Sequence, residues 1–319
     1  MRIANVNGSI GEVPATDPTP TLHDRRLSVV VPSVNGFDDL RRCLDALMRE
    51  AAETSLEVLV PDRCGEDLRD AVRRDYPSVR VIPVSPDTTI PMMRAQAFRV
   101  ATGHAVAVIE DHVIVPPEWA RRLLDAVAQG TPVVGGSVEN AATDTLLDQA
   151  AFLCEYSHCL RPLPAGPVAW LTGNNVVYRR DLLEQYRDVT DAGRWENHLH
   201  DRMRERGVTL ICRPDISVFH RKHYTFAEYF SQRYLYARSY AGARVAGGPL
   251  ARRLFYALAS VALPPLLFAR IVARVISKTG DTGLLLRCTP LILVFVSAWA
   301  WGELVGYACG AGDSLQRVR

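Results

Sequence analysis

Between residues 27 and 140 short apolar runs alternate with helix-forming stretches, and that rhythm leaves few folds open to the chain. "LSVVVPSV" (27–34), "LEVLVP" (56–61), "VRVIPV" (79–84) and "VAVI" (106–109) are short and β-branched, the pattern of strands buried on both faces. Helices are predicted over 37–52 and 91–101, and another over "PEWARRLLDAVAQ" (117–129) leads to "PVVGGSVEN". Units this short predict an α/β domain on a mostly parallel, doubly wound sheet. From about residue 150 the alternation breaks, apart from a helix predicted over 195–206. This second half is expected to form the side of the cleft that meets the second substrate.

The strand at 106–109 is followed at once by Glu110, Asp111 and His112. Open α/β sheets hold their ligands at the carboxyl ends of such strands. The plain alternative is a solvated turn.

The composition shifts after residue 250. "LFYALASVALPPLLFA" (254–269) and "CTPLILVFVSAWAWG" (288–302) are apolar runs, each shorter than the roughly 20 residues of a straight spanning helix. Pro264-Pro265 is expected to kink the first. Arginines that snorkel and tryptophans near one end predict a membrane-attached hairpin, spanning or re-entrant. Two buried core helices are the soluble alternative. A net charge of +2 with scattered basic residues argues against a nucleic-acid partner. Seven cysteines without a CxxC pair read as reduced thiols of a cytosol-facing protein, and "CEYSHC" (154–159) has too few ligands for a zinc site. The chain is therefore expected to divide into a flexible segment at 1–25, an α/β domain at 26–245 and a membrane-associated helical hairpin at 246–319. It is expected at the cell membrane with its α/β domain on the cytoplasmic side.

The ordered series "LSVVVPSVNG", "EVLVPDRCGED", "MRAQAFRVATG", "VAVIEDH", "LTGNNVVYRRDLL", "WENHLHDRMRERG" and "SQRYLYAR" resembles family 2 glycosyltransferases over about residues 27–240. The resemblance implies a GT-A fold, a nucleotide-diphosphate sugar donor, Mn2+ or Mg2+ as cofactor, and inversion at the anomeric carbon. "EDH" falls where the family has its DxD motif. This implies Asp111 and His112 as metal contacts, Asp111 also against the donor, and Glu110 toward the donor sugar or ribose. His112 replaces the family's final Asp, so direct coordination, a bond to phosphate and contact through water all stay open. His220 matches a position that approaches the metal or diphosphate, with a structural histidine as the alternative.

The same resemblance implies a nucleobase wall of Pro32, Ser33 and Val34. Asp62 matches the second Asp of a motif that reads uracil, which points to a UDP-linked donor, although Pro61 replaces the first. Arg94 is implied against the diphosphate, and Gly173 and Asn174 against the donor sugar or the acceptor. Glu196 takes the place of the family's catalytic Asp, the base that activates the acceptor hydroxyl. Its alternative is a carboxylate favoured by the helix dipole. Gln232 and Arg233 are implied near the diphosphate. The apolar segments point to a lipid, polyprenyl-phosphate or membrane-linked glycan acceptor. The departures at Pro61, His112 and Trp195 motivate a reading from another class, a non-catalytic membrane-bound binding or assembly module.

Overall fold

Residues 25–319 are described by a computed structural model, so the flexible lead-in expected at 1–25 lies, but for Arg25, outside the described residues. The first half runs β1 (Leu27–Val30), α1 (Phe37–Ala51), β2 (Leu56–Asp62), α2 (Glu66–Asp75), β3 (Arg80–Pro83), α3 (Ile90–Val100), β4 (Ala105–Val108), β5 (Val113–Ile114), α4 (Trp119–Ala128) and β6 (Val133–Asn140). The second half runs α5 (Leu146–Tyr156), β7 (Gly166–Val168), β8 (Val176–Arg179), α6 (Arg180–Glu184), α7 (Arg187–Thr190), α8 (Glu196–Glu205) and β9 (Leu210–His220). Four further helices follow β9, namely α9 (Phe226–Val245), α10 (Leu250–Ala259), α11 (Leu263–Lys278) and α12 (Thr282–Cys309), with a short α13 (Ser314–Arg317).

The strands form one nine-stranded sheet in the order β3-β2-β1-β4-β8-β6-β9-β5, with β7 beside β9. β3, β2, β1 and β4 are parallel, as the alternation predicts. β8 then enters antiparallel between β4 and β6, which the broken pattern after residue 150 did not foretell. Every residue of β1 and β4 is buried, because helices cover both faces of the sheet. One apolar layer packs α1 and α4 against the sheet through Leu40, Leu44, Leu47 and Trp119, and the other gathers Val106, Tyr178, Leu199 and Met203 on the opposite face. α1 also has the dipole-matched ends of a stable helix, Asp38 and Asp39 in its first turn and Arg49 in its last.

The two apolar runs lie within longer helical segments, Leu250–Lys278 and Thr282–Cys309, each long and apolar enough to cross a membrane. The first is broken at Ser260–Ala262, and Pro264 and Pro265 fall in the opening turn of α11, where a missing N–H breaks no helical bond. α12 does not stand apart from the rest. A Cβ on Gly302 would lie 2.3 Å from the Tyr234 carbonyl oxygen, and one on Gly306 2.6 Å from that of Arg238. These two glycines let α12 lie almost backbone to backbone on α9. The outermost layer, α10 and α11, leaves Leu254, Phe255, Leu258 and Val261 exposed.

Candidate active site

Glu110, Asp111 and His112 follow the carboxyl end of β4, and the turn closes with the Val113 N–H bonded to the Glu110 carbonyl at 3.0 Å. β5 then pairs antiparallel with the end of β9, so that Val113 stands opposite His220. This register brings His220 to His112 across 108 residues of sequence, with their Nε2 atoms 2.9 Å apart. The Glu110 Oε2 atom lies 3.4 Å from the same His112 Nε2. Ligand atoms of Glu110, His112 and His220 all fall within 4.8 Å of one another, the one such grouping among the described residues. The cysteines and histidine of "CEYSHC" are not in it.

Asp111 points the other way. It is fully buried, and Oδ2 accepts from the backbone N–H groups of Val34 (2.8 Å) and Asn35 (2.9 Å). Its Oδ1 accepts from Asn35 Nδ2 at 2.7 Å and faces His112 Nδ1 at 2.9 Å. The expected direct metal contact is thus turned to the first loop and to the far nitrogen of a ligand candidate. The physical reason is local: two backbone donors and an amide claim its oxygens before any ion does. A carboxylate that holds Nδ1 fixes the ring with Nε2 facing the cavity, the usual arrangement behind a metal-binding histidine.

Glu110, expected toward sugar or ribose, is gathered into the histidine cluster instead. Tyr156 hydroxyl (3.2 Å) and Asn174 Nδ2 (3.3 Å) both donate to its Oε2. Burial disfavours its charge, but the His112 bond and the charges of His112, His220 and Arg94 prevail and bring the carboxyl down to about 2. At His112 burial is likewise outweighed, here by the bonds to Asp111 and Glu110, which lift it to about 10. Burial and then the His112 charge push His220 down to about 3. The proton of this pair therefore belongs to His112, and His220 faces it as the neutral imidazole. One carboxylate and two imidazole nitrogens suit a divalent ion of the Mn2+ type, which would take the place of that proton.

The other half of the site is built on α8. Glu196 is its first residue, with Trp195 as the N-cap. Glu196 Oε2 accepts from Arg94 Nη1 at 2.8 Å, so the arginine implied for the diphosphate is committed to the candidate base. Gly173 explains the close fit: a Cβ there would lie 2.5 Å from Glu196 Cδ and 2.9 Å from Arg94 Nη1. Gly173 and Asn174 thus join the two halves, one against the Arg94–Glu196 pair and the other against Glu110. The next residue is structural, since Asn175 Nδ2 donates at 2.9 Å to the carbonyls of Ser137 and Ile216.

Of the three wall residues, Pro32 and Ser33 are buried and Val34 alone is partly exposed. Asp62 is also fully buried. Its Oδ1 accepts from Cys64 N–H, and its Oδ2 from Gly65 N–H and from Arg69 Nε at 2.8 Å. It shapes the loop under the wall, and its side chain is turned to that loop and to α2. No sequence signal marked Tyr156, Asn35, Tyr236 or Arg63 for this cleft. Tyr156 and Tyr236 lie on helix faces whose register is set by packing, and Asn35 and Arg63 read as ordinary loop residues.

A profile described as "Glycosyl transferase family 2" matches residues 28–187. No curated protein matches the chain. Among solved structures, it is similar to the mannosyltransferase PcManGT from Pyrobaculum calidifontis in complex with GDP-Man and Mn2+. The identity is 21% and the TM-score 0.51, over 88% of this chain and 87% of that one. At that identity the likeness is one of fold, and the sheet with its covering helices is of the GT-A type.

Proposed function

This chain belongs to glycosyl transferase family 2, and we propose on that footing that it is a metal-dependent, inverting, membrane-associated transferase. Its donor is a nucleotide-diphosphate sugar, and its acceptor a lipid, a polyprenyl phosphate or a membrane-linked glycan. The observation that carries the reading is the cleft itself, with a cation-selecting triad on one side and an oriented carboxylate on the other. Glu110, His112 and His220 would hold Mn2+ or Mg2+, the two imidazoles favouring Mn2+. When bound, the ion offsets the negative charge of the departing diphosphate.

The chain's own residues do the rest. Asp111 and Asn174 keep His112 and Glu110 turned into the cavity. Arg94 holds Glu196 Oε2, and the Oε1 atom faces the gap left by Gly173. From there the carboxylate takes the proton of a hydroxyl acceptor as that oxygen attacks the anomeric carbon opposite the leaving group; a phosphate acceptor is already ionised and needs no such base. Asp62 is no longer an argument for uridine, so the base is left to experiment, and the complex of PcManGT makes GDP-linked donors as pertinent as UDP-linked ones. The unpaired cysteines support a reducing, cytoplasmic setting for the catalytic domain. The exposed apolar layer of α10 and α11 supports membrane association.

The test is thermal stabilisation of the full chain by a panel of UDP- and GDP-sugars with and without Mn2+, followed by turnover of the stabilising donor. Stabilisation that requires Mn2+ is expected. Glu196→Gln is then expected to lower kcat by roughly a hundredfold or more with little change in donor binding. An absence of metal-dependent binding across the panel would leave the chain a non-catalytic module.

A further inference from the structure

Beyond α12 the chain turns back through Gly310–Gly312 and lays residues 313–319 over the cleft. Arg63, directly after Asp62, donates to the carbonyls of Gln316 (3.2 Å) and Val318, and to that of Thr88 at 2.9 Å. On the other side α9 grips the same segment. Gln232 Nε2 donates to the Arg317 carbonyl at 3.4 Å, and Gln232 Oε1 accepts from Arg319 N–H at 2.8 Å. The Tyr236 hydroxyl donates to the Arg319 carbonyl at 3.4 Å. Val318 is fully buried with Ile90, Trp195 and Leu235, and Val34 packs at the edge of that cluster. Arg319 lines a small cavity together with Glu110, His112, His220 and Arg233.

The segment therefore touches the nucleobase wall, the head of α8 and the metal-side cavity at once. Arg319 ends the segment at this cavity, and its guanidinium is the chemical complement of a diphosphate. A second guanidinium faces the same cavity: Arg233 lies over the Trp299 ring at 4.2 Å, and its Nε is buried without a hydrogen-bond partner. We propose that residues 313–319 form a third wall of the donor site, with Val318 closing the apolar side and Arg319 pairing with the diphosphate. The inference rests on the cleft being a nucleotide-sugar site.

Calorimetric titration of the full chain with GDP and with UDP, in the presence of Mn2+, tests it. At least one diphosphate is expected to bind the unaltered chain. Arg319→Ala is expected to weaken that binding by roughly tenfold or more, the scale of a lost charge-assisted bond, and Arg319→Lys to recover part of it. Hydrogen exchange in residues 313–319 is expected to slow when the diphosphate is added. Binding that is unchanged or tighter in Arg319→Ala, or exchange that speeds up on addition, would make the segment a displaceable plug and overturn the proposal. An unaltered chain that binds neither diphosphate would bring down the donor-site reading itself, independently of any Arg319 variant.

Discussion

Asp111 shows how much a single residue's role depends on which way its carboxylate faces. As the acidic centre of "EDH" it reads as a metal contact, yet its oxygens are taken by Val34, Asn35 and His112. It reaches the proposed ion only through the ring it holds. Asp111→Asn exchanges an acceptor for a donor opposite N–H groups in a fully buried position. Stability is therefore expected to fall by about 1–3 kcal/mol, the scale of a buried group left unpaired. Mn2+ affinity is expected to fall by roughly 10- to 100-fold, as when the support of a metal-binding histidine is lost. Thermal unfolding and Mn2+ titration of the same protein measure the two effects. Abolished metal binding with unaltered stability would instead make Asp111 a direct ligand.

At the scale of elements, the site depends on α8 being held against the sheet. His200, on α8, is fully buried, with Nε2 2.8 Å from the Tyr178 hydroxyl of β8 and Nδ1 accepting from the Leu171 N–H at 3.5 Å. Burial, and then the Arg94 charge, push this imidazole from 6.5 down to about 4. Between those values the unfolded chain binds a proton that the folded chain refuses. The contribution of neutral His200 is therefore complete above about pH 6.5 and is lost as the pH falls toward 4, at about 1.4 kcal/mol per unit. Thermal midpoints measured at about pH 7.5 and about pH 5 are expected to show this loss, and His200→Gln to lessen it, with His220 keeping its own share. An equal acid sensitivity in the variant would assign the effect to other groups. Packing alone reveals this histidine, since its sequence context, "ENHLHDRM", is that of a polar surface helix.

Across the whole molecule, the apolar hairpin packs against the helix that follows the sheet. The division proposed after residue 245 separates chemistry from anchoring, but α12 lies along α9 and the following residues return to the cleft. The outer face keeps Leu254 at 54%, Leu258 at 76% and Val261 at 69% exposure, too apolar a patch to be left to water. The full chain is accordingly expected to float with phospholipid vesicles in a density gradient. Replacing Leu254, Leu258 and Val261 together by Asn is expected to release most of it into the soluble fraction with its thermal midpoint little changed, because these side chains make no part of the core. Undiminished flotation of that variant would move the membrane contact to another face.

Sequence by itself determined the parallel half of the sheet, the position of "EDH" beyond a strand end, the helix headed by Glu196 and the two apolar segments. Each of these is written in local periodicity, because burial on two faces, helical spacing and length are properties of contiguous residues. What only the tertiary structure decided is which groups meet: His220 with His112 through the β5–β9 register, Arg94 with Glu196 across the space left by Gly173, and Arg319 with the cavity beside His112 and His220. It also decided that Asp111 and Asp62 turn their carboxylates toward backbone and loop. No periodicity encodes such meetings, since they join residues far apart in the chain and are fixed by strand register and by the competition of nearby donors for the same oxygens.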